Sequence, residues 1–331
     1  MNTHGGDQPI FFDAFNNEKE IYVLAPPWRK SHPKCFNEDD ISFFVGEEKI
    51  TPRGLFIKEY EGYRLFVYDY KIKEKTQCKI QIPKKNVDKT FFLDLHKKEK
   101  KHLALSTLFK NDFRKIPTFY EMFKSQGVDS FYLYYNGIAN EEIKSVCNLR
   151  DVTLINWPFA YRGHGITGAF HFAQSAQICH AFHKYVKYNY KYFINCDLDE
   201  WMSPQGGVSL KELTEKYKNI NYFLFNNHYV SGDIPDSIPS SLNVDVGDNK
   251  DYYTRSSRSK YMIKVSDVLN YQLGIHDAFL ENSKTHPNDR SKENHHKLLH
   301  FYNRKHDGSV ERRTKHNQTY KIEELFKNLK K

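Results

Sequence analysis

Between Ile21 and Leu93 the apolar residues come in short runs, IYVLAP, ISFFVG, GLFIKEY, YRLFVYDYKI, CKIQIP and TFFLDL, separated by turn formers. Alternation within YRLFVYDY has the two-residue period of a strand with one covered face. The pattern predicts a small all-β module over residues 1–100, with the lysine-rich stretch Lys97–Lys101 as its exit.

Beyond His102 the period changes from element to element. LALSTLF reads as a strand, residues 116–126 carry helical spacing that stops at Gly127, and SFYLYYNG is a strand ending in a turn. NEEIKSVCN predicts a short helix, and VTLINWP a strand stopped by Pro158. A long helix is expected over Thr167–Tyr188, then a strand at KYFINC, a helix over Ser209–Lys218 and a strand at NYFLFNNHYV. Strands alternating with helices predict an α/β domain over 101–331, three layers deep, with a mainly parallel sheet. From Ser237 the chain reads as irregular and rich in histidine, before a terminal helix over Lys321–Lys330.

The stretch YFINCDLDEWMSP, Tyr192–Pro204, drives an apolar strand into three carboxylates within four positions. In open α/β sheets ligands gather at the carboxyl ends of strands, which is where Asp197, Asp199 and Glu200 fall. An extended backbone puts Asp197 and Asp199 on one side and turns Leu198 toward the core. Two carboxylates that close repel, and one stays protonated unless a cation intervenes. A divalent ion with hard oxygen ligands, Mn²⁺ or Mg²⁺ beside a nucleotide diphosphate, removes the conflict. A solvated acidic turn or helix cap is the other reading of the same residues.

Composition changes this picture little. With 39% hydrophobic and 27% charged residues the chain is globular, and 15% aromatics suits a sugar or nucleotide binder as well as an AT-rich coding bias. The formal charge of +9 favours anionic partners. Part of it sits in LHKKEKKH and the closing KNLKK, which leaves open a peripheral attraction to an anionic membrane face. No RNA-binding aromatic signature, zinc finger or helix-turn-helix pattern is present, so nucleic acid is not expected. The five cysteines form no CxxC pair, so neither a disulfide framework nor a zinc cage is indicated. NHHKLLH invites a zinc reading, but surface histidines with an inward His300 account for it better. No secretory signal and no apolar run of about 20 residues is visible, and the expected location is cytoplasmic.

FINCDLDEWMSP resembles the Asp-x-Asp-Glu segment of family 92-like glycosyltransferases and their bacterial family 2-like relatives. LSTLFKNDFRKIPTFYEMFKSQGVDSFYLYYNG is similar to their opening strand, helix and strand, and FAQSAQICHAF to the helix before the acidic strand. SKYMIKVSDVLNYQLGIHDAF resembles their strand, variable turn and histidine, and KLLHFYNR their late His-aromatic strand, so the likeness runs from Leu103 to Arg304. It implies a GT-A-like (Rossmann-like) fold and transfer of a sugar from a nucleotide diphosphate donor, UDP-hexose by default, to a glycan or glycoconjugate. Carried over, Asp197 would meet the ribose or the metal through water, Asp199 would bind the metal directly, and Glu200 would orient the site or face the acceptor. His276 is the candidate that completes the metal shell, with a bond to Asp277 or a backbone carbonyl as the alternative. Asn111 and Asp112 sit where the family contacts the base, and Arg162 and His164 where a diphosphate or donor sugar would be gripped. For an inverting transfer, Asp233, Asp277 and Glu200 compete as catalytic base. A metal phosphoesterase and a non-catalytic polyanion or glycan binder are the competing functions.

Overall fold

The computed structural model describes residues 9–17, 19–27, 34–58, 62–71, 74–93, 100–161, 163–165, 168–170, 172–231, 241–245, 259–276, 278–280, 296–302 and 317–321. They fall into two compact units, one of residues 1–100, 157–189 and 270–275, the other of 101–156, 190–269 and 276–331. The expected segments 1–100 and 101–331 are therefore not the two compact units.

The first unit opens with β1 (Asp13–Asn16), β2 (Glu20–Ala25), β3 (Ser42–Val45), β4 (Glu48–Ile50), β5 (Gly54–Lys58), β6 (Tyr63–Asp69), β7 (Thr76–Ile82) and β8 (Val87–Leu93). They make two antiparallel four-stranded sheets, ordered β1-β2-β6-β5 and β4-β3-β7-β8. Strict alternation in β7 turns Cys78, Ile80 and Ile82 inward, against Phe43 and Val45 of the same sheet and Ile21, Val23, Phe66 and Tyr68 of the other. Strand β2 is buried along its whole length. Within this unit the segment after Trp157 packs on it and its neighbour β1: Trp157 stacks on Phe12 with centroids 5.8 Å apart, and His180 meets Phe15 edge-on at 4.7 Å. Tyr22 faces His183 at 5.0 Å, Asp13 Oδ2 lies 2.9 Å from His180 Nε2, and Lys187 Nζ donates to Glu20 Oε2 at 2.7 Å.

The second unit begins with β9 (Lys101–Phe109), α1 (Ile116–Ser125), β10 (Ser130–Tyr135), α2 (Glu141–Val146) and β11 (Val152–Asn156). The intervening stretch, in the first unit, holds β12 (Gly163–Gly165), β13 (Gly168–Phe170) and α3 (Phe172–Ala181), which gives way to a π-helical turn at Phe182–Val186. The long helix expected over Thr167–Tyr188 is thus shorter at both ends, because its first residues pair as a glycine-rich hairpin. The chain continues with β14 (Tyr190–Asn195), β15 (Glu200–Ser203), α4 (Leu210–Lys216), β16 (Tyr222–Ser231), β17 (Ser241–Asp245), β18 (Lys260–Lys264), β19 (Val268–Leu273), β20 (Ala278–Leu280), β21 (Lys297–Tyr302) and β22 (Asn317–Lys321). The part read as irregular therefore contains ordered strands; Lys321 ends a strand, and the rest of the expected terminal helix lies outside the described residues.

Among the described residues ten strands form one sheet, with β11-β10-β9-β14-β18-β16-β17-β22 along its path, β21 paired to β16 and β15 to β21. Pairings among β11, β10, β9 and β14 are parallel, whereas β14–β18, β18–β16, β16–β17 and β17–β22 are antiparallel. The sheet is mixed rather than mainly parallel, since β18 and β16 return as neighbours by direct antiparallel pairing instead of by crossover helices. One face is filled by Leu103, Leu105, Ile194, Cys196, Phe223 and Met262, with Phe119, Met122 and Phe123 of α1 in the same core. The chain runs outward from β9 through β10 to β11 and then returns to β9's other side as β14. Strand order reverses there, so the carboxyl ends of β9 and β14 flank a topological switch point. Among the described residues no helix is long and apolar enough to cross a membrane.

Candidate active site

β14 ends at Asn195, and the Cys196 amide donates to the Ser106 carbonyl of β9 at 3.1 Å, which ties the exit of one strand to the other. The chain then turns sharply instead of staying extended as the sequence suggested. The Glu200 amide donates to the Asp197 carbonyl at 3.1 Å, leaving Leu198 and Asp199 at the tip. Glu200 closes the turn a second time, because its Oε2 accepts from the Asp197 amide at 2.9 Å. Leu198 is buried in the core as expected, and Trp201 packs edge-on against Phe301 with centroids 4.7 Å apart. Strand β15 pairs with β21 so that Glu200 stands opposite His300, and the Phe301 amide donates to the Asp199 carbonyl at 2.8 Å.

The charges divide into an inner group of three and an outer pair. Inside, Lys260 at the head of β18 has no exposed side-chain surface; its Nζ donates to Asp197 Oδ2 at 2.9 Å and lies 3.5 Å from Glu200 Oε2. Outside, Asp199 keeps 46% of its side chain exposed, and its Oδ2 lies 3.3 Å from His300 Nε2. His300 Nδ1 lies 3.1 Å from Asn227 Oδ1, which accepts if that nitrogen carries the proton. Burial pushes Asp197 upward, but Lys260 more than reverses this and holds it below the usual carboxylate range. For Glu200 burial dominates: against Lys260, and with Asp197's charge adding to it, the carboxyl is raised to about 7. Burial would lower Lys260, yet Asp197 and Glu200 together raise it, and His300, lowered by burial, is raised overall by Asp199 and Glu200. Of the three carboxylates, Asp197 and Glu200 share the Lys260 ammonium, whereas Asp199 faces His300.

Asn111 and Asp112 lie exposed just past the end of β9, on the strand that neighbours β14. Asp112 takes a left-handed backbone (φ 59), and its carbonyl accepts from the Lys115 amide at 2.9 Å in the turn that starts α1. His276 Nδ1 lies 2.9 Å from the Ser259 carbonyl oxygen, the backbone bond expected as its alternative, and its charge lowers Asp197; the histidine beside Asp199 is His300. Arg162, Asp233 and Asp277 lie outside the described residues, and of His164 only the backbone, in β12, is described. His296 is buried, not on the surface, and its Nδ1 accepts from the Gln205 amide at 3.1 Å. Sequence reasoning missed Lys260 and Asn227; the one available hint was a lysine heading KYMIK, a strand apolar in its middle and closed by a second lysine.

Among the described residues no group of three or more histidine, cysteine, aspartate or glutamate side chains is gathered to hold a metal ion. Asp199 and His300 are two such donors side by side. The number suits a hard ion that takes few protein ligands and fills its remaining positions with water and phosphate oxygens. The histidine is also oriented from its far nitrogen in the manner of metal-bound imidazoles.

No curated protein matches the chain. The family model of glycosyltransferase family 92 matches residues 103–331, from the first strand of the large sheet through the acidic turn and beyond His300. That match takes in well over half of the sequence, and the chain belongs to glycosyltransferase family 92.

Proposed function

We propose that this glycosyltransferase is metal-dependent, has a GT-A-like fold, and moves a sugar, by default a hexose from UDP, onto a glycan or glycoconjugate acceptor. One observation carries the reading: an exposed Asp199 beside His300, on a turn that leaves the sheet at its switch point. Asp199 and His300 would hold Mn²⁺ or Mg²⁺. A divalent ion there would stabilise negative charge on the leaving diphosphate as a Lewis acid. Asp197, about a third exposed and anchored from behind by Lys260, is suited to a ribose hydroxyl or to water in the donor's shell. Asn111 and Asp112 would meet the base. Glu200 has 2% of its side chain exposed and closes the turn on Asp197, which supports an orienting role rather than direct contact with an acceptor hydroxyl.

The test is turnover of UDP-sugars with added Mn²⁺, read as released UDP. Asp199→Asn should lower the rate by about 100-fold, the scale expected for losing metal-borne stabilisation of a developing charge. Its melting temperature should stay near wild type, because the side chain is half exposed. Unchanged turnover in this variant, or release of phosphate from simple esters without any sugar nucleotide, would overturn the reading.

A further inference from the structure

A fully buried lysine is costly: the ammonium loses its hydration and persists only where opposite charge is held close. Lys260 meets that condition with Asp197 at 2.9 Å and Glu200 at 3.5 Å, both on the acidic turn. Its own place is fixed by β18, whose backbone pairs with β16 so that Lys260 stands opposite Phe225, while Met262 stands opposite Ile194 of β14. The ammonium is therefore set by the frame of the sheet, whereas the turn it grips follows the carboxyl end of β14. Having no exposed surface, it cannot itself be the group that meets a donor diphosphate.

Building on the transferase reading, we propose that Lys260 is a positioning residue for the donor site. It holds Asp197 Oδ2 from the protein side, so that the exposed remainder of that carboxylate is presented to the nucleotide in one orientation, and it leaves Asp199 to the cation. Lys260 then contributes to donor binding through Asp197 and not separately from it. A lysine serving only as a counter-ion for folding would change stability without this dependence.

A double-mutant cycle on binding of uridine diphosphate in the presence of Mn²⁺, measured by calorimetry on the full chain, separates the two. Lys260→Met and Asp197→Asn should each weaken affinity by about tenfold, the lower end for losing a group that orients a ligand-binding side chain. The double variant should bind no more weakly than Asp197→Asn alone. Multiplicative losses, or a Lys260→Met protein with wild-type affinity, would overturn the inference. Should Lys260→Met fail to fold, Lys260→Gln, which retains an amide donor, takes its place and is read the same way. If the wild-type chain takes up no uridine diphosphate with Mn²⁺, the transferase reading and this inference fall together. If wild type binds and the Lys260 variant binds equally well, the inference alone falls.

Discussion

Glu200 is enclosed behind the acidic turn, and burial lifts its carboxyl to about 7 despite the nearby Lys260. The native state thus prefers the neutral acid, whereas in the unfolded chain the group ionises near its ordinary 4.5. Protonation therefore adds stability that is fully present below about 4.5 and is lost as pH rises through about 7. Forcing the charge on at pH 8 costs about 3 kcal/mol, the scale of a shift of this size on a buried group. Glu200→Gln removes that penalty and keeps an acceptor for the Asp197 amide. In chelator it should be more stable than wild type by about that amount at pH 8 and nearly equal at pH 4.5, in urea unfolding. An equal difference at both pH values would show that ionisation is not the cause. The acidic residues were legible because strand ends in α/β sheets are where ligands gather. Their counter-charges were not, since Lys260 and His300 lie 63 and 101 positions further on than Asp197 and Asp199 and arrive only by strand pairing. Lys260 therefore neutralises Asp197 and Glu200 from within the protein and leaves Asp199 to His300 and to any bound cation.

Helix α1, expected over 116–126 and observed at Ile116–Ser125, shows why some elements are legible to within a residue. Its apolar side chains, Ile116, Phe119, Met122 and Phe123, recur at helical spacing and are all buried. Gly127 ends it in a left-handed conformation (φ 89), with Gly127's amide donating to Lys124's carbonyl at 3.0 Å and Val128's to Phe123's at 3.1 Å, a Schellman closure. A side chain at 127 would be strained by the backbone and would meet Lys211 Cβ of α4 at 2.7 Å. Gly127→Ala should destabilise by about 2–3 kcal/mol, roughly 1 from the left-handed backbone and the rest from the collision. Gly206 is also left-handed (φ 79) but has nothing within 4 Å of such a side chain, so Gly206→Ala should show only the first part, about 1 kcal/mol. Equal losses in chemical unfolding would refute the role given to Lys211. By contrast, the stretch from Thr167 gave no stop signal that separated hairpin from helix, because alanine and aromatic residues continue on both sides of Phe172. The pattern alone does not mark strands β18 and β21, whose partners, β14, β16 and β15, are distant in sequence; the family resemblance is what identifies SKYMIK and KLLHFYNR as strands.

The family match starts at residue 103, next to the lysine-rich stretch where the pattern of the sequence changes, and that is the natural place to cut the chain. The first compact unit argues against the cut, because it takes residues 157–189 from within the matched region. Trp157, His180 and His183 are buried in that unit with Phe12, Phe15 and Tyr22 as ring partners, all three from the first hundred residues. Asp13 likewise meets both His180 and Lys184, and Glu20 accepts from Lys187 and Tyr188. A chain beginning at residue 101 would leave these aromatic and imidazole rings in water and the two lysines without their carboxylates. Burial of each large ring contributes about 1.5–3 kcal/mol, so losing several removes an amount comparable to the whole stability of an ordinary domain. Residues 101–331 expressed alone should be insoluble, or should bind hydrophobic dye and melt without a cooperative transition. Supplying residues 1–100 as a second polypeptide in the same cell should restore part of the soluble yield, since the missing contacts are non-covalent. A soluble 101–331 fragment that melts cooperatively at the full-length temperature would show instead that the stretch from Trp157 to Asn189 is held by its own neighbours, and that the β module is dispensable to the fold.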